Sequence, residues 1–141
     1  MISKHLTFYK KNSGLRIFSV NLLRRITVFL RLDWVQGRKM THYMKMAILT
    51  SGRFKFDVYL LKFPTGSYID AHKDGSPDGY EHHRINFILN SNFKGGSFIS
   101  DEKLQKGRIH KFRPDLSTHR VTKVREGTRY VFSIGWLRKE K

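Results

Sequence analysis

The stretch from His119 to Trp136 reads HRVTKVREGTRYVFSIGW. Two segments rich in β-branched and aromatic residues lie on either side of the turn at 125–128, which is the pattern of two antiparallel strands joined by a short loop. Pairing across this turn places His119 and Arg129 on neighbouring strands. The stretch therefore predicts β-structure in which an imidazole and a guanidinium lie close together.

Arg129 can point into the core or away from it. Side chains alternate along a strand, so Arg129 shares one face with Val131, Ser133 and Gly135. If this face is inward, the guanidinium needs an anion, and its fork suits a carboxylate bound through two hydrogen bonds. On hydrophobicity alone the opposite, aromatic face is the better core face. Both faces can be buried if a further element covers the outer one.

The whole chain after Gly37 has a sequence pattern typical of short strands joined by turns. Short apolar segments alternate with turns that contain Gly, Pro, Asn or Asp. The predicted strands are Phe54–Phe63, Tyr68–His72, Arg84–Leu89, Ser97–Ser100, Arg108–Phe112, His119–Val124 and Arg129–Trp136. Short strands at this spacing favour a β-sandwich or barrel.

The N-terminal part differs. From Leu15 to Trp34 apolar residues recur at intervals of three and four, which predicts an amphipathic helix, although the many β-branched residues leave a strand open. We therefore expect an all-β core with an N-terminal helix packed on it. The expected division is a basic, helical extension over residues 1–40 and a β-domain over residues 41–141.

The end of the predicted strand Tyr68–His72 suits a metal ion. The chain has no cysteine, so a metal here is bound by imidazole or oxygen ligands, as iron, manganese and zinc are. His72 and Asp74 point the same way because they are two residues apart in extended chain. A second imidazole from a distant strand would complete the two-histidine, one-carboxylate set of non-haem iron(II) oxygenases. A His-x-Asp pair by itself is common and more often marks a strand end that meets a polar loop.

Four motifs occur in order along residues 54–137: His72-Lys-Asp74, Gly95-Gly96, Ser117-Thr-His119-Arg-Val121, and Arg129 ten residues after His119. With this set the chain resembles the prolyl-4-hydroxylase-like 2-oxoglutarate/iron(II)-dependent dioxygenases. The resemblance implies a double-stranded β-helix, which is a jelly-roll of two packed sheets.

The resemblance also implies the site and its reaction. His72, Asp74 and His119 are then the ligands of a catalytic Fe(II), and Arg129 points inward to bind the cosubstrate 2-oxoglutarate. O2 is the second cosubstrate, and the expected reaction is hydroxylation of a protein, peptide or small-molecule substrate.

The chain departs from this family at one position. Many relatives have a tyrosine nine residues before the first ligand histidine, where this chain has Phe63. Tyr59 lies on the same face of the predicted strand, and Asn86 is a polar residue at a core-like position, so either is a candidate to contact the cosubstrate. Arg84, at the base of the loop 75–83, is a candidate contact for an acidic or polar substrate.

The net charge of +17 over 141 residues indicates anionic partners. Nucleic acid, a ribonucleoprotein, an acidic peptide and the surface of an anionic membrane all fit this charge, although no nucleic-acid-binding motif is recognisable. No segment has the apolar length of a transmembrane helix. The absence of cysteine fits a reducing compartment, and a cytoplasmic location is expected.

Three other functions stay open. The chain can be an oxygenase acting on nucleic acid or a ribonucleoprotein, or a non-catalytic basic module that binds nucleic acid on the same fold. It can also be a metal enzyme of another kind, such as a cupin-like isomerase. Neither a binding module nor an isomerase explains an arginine ten residues after His119.

Overall fold

The computed structural model describes residues 6–8, 17–22, 26–38 and 40–141, and these residues form strands, turns and loops. The strands are β1 Leu6–Phe8, β2 Ile17–Leu22, β3 Ile26–Gln36, β4 Met44–Ser51, β5 Phe56–Phe63, β6 Ile69–His72, β7 Tyr80–Ile88, β8 Phe93–Gly95, β9 Phe98–Ser100, β10 Lys103–Lys106, β11 Ile109–Phe112, β12 His119–Val121, β13 Val124–Gly127 and β14 Arg129–Lys139. The predicted all-β core is therefore confirmed.

One large sheet and two small ones contain all of these strands. The large sheet has the order β1-β2-β3-β4-β5-β14-β7-β11-β10, and the small sheets have the orders β6-β12-β9 and β13-β8. Every pairing is antiparallel. Strand β14 lies between β5 and β7 and pairs with both along most of its length. Such a strand has its register fixed from two sides.

The core lies between the large sheet and the small ones. The buried cluster consists of Tyr43, Phe63, Phe112 and Val131 beside Phe98, Val121 and Val124 from the small sheets. Along β14 the inner residues are those at odd positions from Arg129 to Gly135, as the alternation of a strand requires. The opposite face, which hydrophobicity alone favoured as the core face, is only half-buried.

The predicted helix over residues 15–34 is wrong for the residues that the structure describes. Ile17–Leu22 and Ile26–Gln36 are antiparallel strands, and residues 15, 16 and 23–25 lie outside the described residues. β-Branched side chains such as Ile17, Val20 and Val28 are stiff and favour extended chain, and here this preference outweighs the helical spacing. No helix of the described residues has the length and apolarity to cross a membrane.

Further differences concern the number and bounds of the strands. β8 and β10 were not predicted, and β7 begins at Tyr80, within the predicted loop 75–83. β4, Met44–Ser51, was not predicted and joins β3 to β5, so the large sheet continues across residue 40.

The predicted strand His119–Val124 is divided into β12 and β13, which belong to different small sheets. The predicted antiparallel pairing across a turn at 125–128 is wrong, because β13 takes up most of that turn and pairs with β8, whereas β14 pairs with β5 and β7 in the large sheet. The predicted division of the chain at residues 40 and 41 stays a prediction.

Candidate metal centre

The three predicted metal ligands lie at the ends of neighbouring strands. His72 is the last residue of β6, His119 is the first residue of β12, and the two are partners in the antiparallel register. Their ring centroids are 4.2 Å apart. Asp74 follows two residues after β6, and its backbone N–H donates a hydrogen bond of 2.9 Å to the carbonyl of Pro114. This bond holds the carboxylate beside both rings.

The ligand atoms of this triad converge on one point. Nε2 of His72 is 3.4 Å from Oδ1 of Asp74, and Nε2 of His119 is 3.9 Å from Oδ2 of the same carboxylate. One ligand atom from each residue lies within 4.8 Å of the others. Ligands about 2.1 Å from an ion and at right angles to each other are about 3 Å apart, so small side-chain rotations complete the set.

Both imidazoles are held in the form that binds a metal. Nδ1 of His72 is 2.7 Å from the carbonyl oxygen of Asp70, and Nδ1 of His119 is 3.0 Å from that of Ser117. A carbonyl only accepts, so each Nδ1 carries the proton and each Nε2 presents a lone pair. Burial lowers the pKa of His119, which keeps its ring neutral near neutral pH.

Arg129 is buried in the same cavity as the triad, and no carboxylate of the described residues forms an ion pair with it. Its side chain is 1% exposed, and its Nε has no hydrogen-bond partner among the described residues. The guanidinium lies 5.1 Å from the centroid of the Phe63 ring. Burial lowers the pKa of Arg129 to about 10, so the group stays charged near neutral pH. A buried cation without a partner is costly, and an anionic ligand removes that cost.

The Gly-Gly motif makes room for the arginine. A Cβ at Gly96 would lie 3.1 Å from Cδ of Arg129 and 2.9 Å from Cγ2 of Val124. Gly96 has a φ of +64°, which disfavours any larger residue. A Cβ at Gly95 would overlap the carbonyl oxygen of Lys123. Both glycines therefore let strand β8 and the chain after it pass close to β13 and to Arg129.

The cavity has a volume of about 410 Å³, within the usual range of small-ligand sites. All of the predicted site residues line it: His72, Asp74, His119, Arg129, Tyr59, Asn86 and Arg84. The structure thus brings together residues that are up to 70 positions apart in the chain.

Tyr59 and Asn86 provide polar groups on one wall. They lie in one row across β5, β14 and β7, on either side of Ser133. Asn86 is 8% exposed, and its Oδ1 has no partner among the described residues. Burial, and then the charge of Asp57, raise the pKa of Tyr59, so its hydroxyl keeps the proton. Both residues are therefore placed to form hydrogen bonds with a ligand.

Arg84 lies on the same wall, but its charge is balanced within the chain. Its Nη2 is 2.9 Å and 3.1 Å from the two carboxylate oxygens of Asp57, and its Nη1 donates a hydrogen bond of 2.8 Å to Oγ of Ser133. A role in substrate binding stays a prediction, and the ion pair makes Arg84 less available to an anion than Arg129.

Tyr43 and Arg38 are among the cavity residues that were not predicted as site residues from the sequence. Tyr43 is 9% exposed and stacks on Phe63 with a centroid separation of 5.1 Å, and burial raises the pKa of its hydroxyl. A Cβ at Gly37 would overlap the Tyr43 ring, so this packing requires glycine there. Arg38 places Nη2 3.4 Å from Oδ1 of Asp74. No signal in the sequence pointed to these residues, because the pairing of β3 with β4 brings Gly37, Arg38 and Tyr43 to the cavity.

The comparisons with known proteins give only distant likenesses. No protein-family model matches the chain, and neither does any curated protein. Similar solved structures include KdgF from Halomonas sp., with 13% identity, a TM-score of 0.48, and coverage of 75% of this chain and 87% of that chain. An oxidoreductase of the 2OG-Fe(II) oxygenase family from Burkholderia pseudomallei has 18% identity and a TM-score of 0.44, over 70% of this chain and 47% of that chain.

A third solved structure is the viral collagen prolyl hydroxylase vCPH from Paramecium Bursaria Chlorella virus-1. It has 17% identity and a TM-score of 0.45, over 85% of this chain and 83% of that chain. At such values the likenesses decide nothing about the site, and its interpretation depends on its own geometry.

Proposed function

We propose that the chain is an Fe(II)- and 2-oxoglutarate-dependent dioxygenase of the prolyl-4-hydroxylase-like family, built on a double-stranded β-helix. His72, Asp74 and His119 would hold the iron, and Arg129 would bind the distal carboxylate of 2-oxoglutarate. The single observation that carries the proposal is the presence of both features in one cavity. A metal triad alone suits many enzymes, but a buried arginine with no carboxylate partner among the described residues favours an anionic cosubstrate as well.

When bound, iron and 2-oxoglutarate supply the oxidising chemistry: O2 is consumed, the 2-oxo acid is converted to succinate and CO2, and one oxygen atom enters the substrate as a hydroxyl group. The carbonyls of Asp70 and Ser117 keep His72 and His119 in the tautomer that the metal needs. Arg129 orients the cosubstrate by a charge-assisted, forked hydrogen bond. Asn86 offers further hydrogen bonds on the cavity wall.

The proposal is tested by anaerobic titration of the full chain with Fe(II) and 2-oxoglutarate. We expect a visible metal-to-ligand charge-transfer absorption in the wild-type protein, because a 2-oxo acid chelating Fe(II) produces one. Asp74→Ala should abolish this absorption, since it removes one of three ligands. A suitable control is Asp78→Ala, which removes an exposed carboxylate from the same loop.

Two results would contradict the proposal. One is the absence of the absorption in the wild-type protein, and the other is an undiminished absorption in Asp74→Ala. If the absorption behaves as expected, succinate release in the presence of peptides, small molecules and oligonucleotides identifies the substrate. Activity that persists without O2 would instead favour a cupin-like isomerase.

A further inference from the structure

Three cations from separate elements line the cavity in addition to Arg84 and Arg129. Arg38 lies in the loop after β3, Lys45 lies on β4, and Arg120 lies on β12, and all of them line the cavity. Arg120 is exposed, and the Arg38 side chain is 48% exposed. These residues, here called the cationic rim, differ from Arg129, which is fully buried.

Little in the described part of the chain neutralises the cationic rim. Lys45 and Arg120 form no ion pair with a described residue, and Nζ of Lys45 lies 5.6 Å from the centroid of the Tyr59 ring. Arg38 contacts Asp74, the same carboxylate that the proposed metal would use. Asp74 is also the only acidic residue among the described residues that line the cavity.

The positive charge persists when the proposed ligands are added. The two carboxylates of 2-oxoglutarate offset the two charges of the ferrous ion, and Asp57 already offsets Arg84. Arg129 and the cationic rim together then carry more positive charge than Asp74 can balance. Within a partly enclosed cavity such charges produce a stronger field than they do on an open surface.

We propose that the substrate carries an anionic group, a carboxylate or a phosphate, that binds to the cationic rim while the carbon to be oxidised reaches the metal triad. This inference rests on the proposed function. The rim residues belong to three elements and line one cavity of about 410 Å³, so we expect a compact anion. Nucleic acid would need many phosphate contacts along an extended surface. Lys45 and Arg120 are the main contacts, and Arg38 becomes available when the metal binds Asp74.

The test measures the binding of three blocked peptides to the full chain loaded anaerobically with Fe(II) and 2-oxoglutarate. The probes are acetyl-Gly-Glu-Glu-Gly-amide for the carboxylate, acetyl-Gly-phosphoserine-Gly-amide for the phosphate, and acetyl-Gly-Gln-Gln-Gly-amide as the uncharged counterpart. Isothermal titration calorimetry at low salt gives the affinities. We expect the affinity for at least one anionic peptide to be at least about tenfold higher than that for the uncharged one, because charge-assisted hydrogen bonds can supply such a difference.

In the double variant Lys45→Gln with Arg120→Gln, the affinity for that anionic peptide should fall by about tenfold or more. Its matched control is Lys106→Gln with Lys139→Gln, which removes the same charge from exposed residues outside the cavity and should change the affinity by less than about twofold. Thermal unfolding curves of both variants test whether they are folded. The two anionic peptides distinguish a carboxylate from a phosphate.

The inference is overturned if the anionic peptides bind no better than the uncharged one, or if both double variants weaken binding equally. A loss caused by general surface charge would give the second result. Failure of the proposed function has a different signature, because the wild-type protein would then lack the iron–2-oxoglutarate absorption recorded on the same samples.

Discussion

Arg84 and Arg129 line the same cavity, and of the two only Arg84 has a carboxylate partner among the described residues. Arg84 on β7 forms an ion pair with Asp57 on β5 and a hydrogen bond with Ser133 on β14, which lies between those strands. Arg129, at the start of β14, has the Phe63 ring as its neighbour and no carboxylate among the described residues. One charge is balanced by the protein, and the other is left for a ligand.

The difference depends on the residues that face each arginine across the sheet. Asp57, Gly135 and Arg84 occupy one row over β5, β14 and β7, and the missing side chain at Gly135 lets Arg84 reach across β14 to Asp57. In the row of Arg129 the partner on β5 is Phe63, which offers a ring and no anion. We therefore interpret Arg84 as a structural arginine and Arg129 as a ligand-binding one.

Replacing Arg129 should have the largest effect, because it removes the unbalanced charge itself. Arg129→Met should weaken 2-oxoglutarate binding by about 30-fold or more, since removing one partner of a buried charged pair costs about 2–5 kcal/mol. The same change should raise the free energy of unfolding of the ligand-free protein by about 1–3 kcal/mol, because it removes a buried, unpaired cation. Titration of the charge-transfer absorption and urea unfolding measure the two effects.

The opposite signs of these effects make the prediction specific. If Arg129 had only a structural role, its replacement would lower the free energy of unfolding and leave the affinity for 2-oxoglutarate unchanged. That result would contradict the proposal that Arg129 binds the cosubstrate. Arg108→Met is the control, because Arg108 is exposed and lies outside the cavity. We expect neither quantity to change appreciably in that variant.

Gly135→Ala should have a smaller effect and act on the other arginine. The new Cβ would lie 2.5 Å from Nη2 of Arg84 and 2.8 Å from Oδ1 of Asp57. The ion pair must then move apart, which should lower the free energy of unfolding by about 1–3 kcal/mol. Gly52→Ala is the control, because nothing lies within 4 Å of its Cβ position. Equal urea midpoints for the two variants would mean that the ion pair does not need Gly135.

Local patterns in the sequence were enough to predict strands β6 and β14, but the complete triad needed the resemblance. His72 and Asp74 are two residues apart, and this short-range geometry was sufficient to predict that they point the same way. The roles of His119 and Arg129 followed from the resemblance, because β12 and β14 belong to different sheets and the predicted pairing across residues 125–128 does not form. The inward face of Arg129 followed only from the resemblance, because hydrophobicity favoured the other face. Strand β14 is central in the large sheet, and both of its faces are at least partly covered.

Long-range pairing determined what the sequence did not show. Asp57 and Arg84 are 27 residues apart and meet only because β14, from the end of the chain, lies between their strands. Gly37, Arg38 and Tyr43 reach the cavity through the pairing of β3 with β4, which the predicted helix had excluded. A helical spacing and a β-rich composition competed in Leu15–Trp34, and no local signal decided between them.

The smallest effect is expected from Asp57→Asn, which makes Arg84 resemble Arg129 by removing its anion. The side chains of Asp57 and Arg84 are 28% and 15% exposed, so water screens the uncovered charge and the loss should be about 1 kcal/mol, below the cost for a fully buried pair. Asp78→Asn gives the same change in net charge at an exposed position. In urea unfolding, added sulfate should restore more stability to Asp57→Asn than to Asp78→Asn, because only the former leaves a guanidinium that can accept an anion. If sulfate acts equally on both, Arg84 does not depend on Asp57, and its difference from Arg129 has another cause.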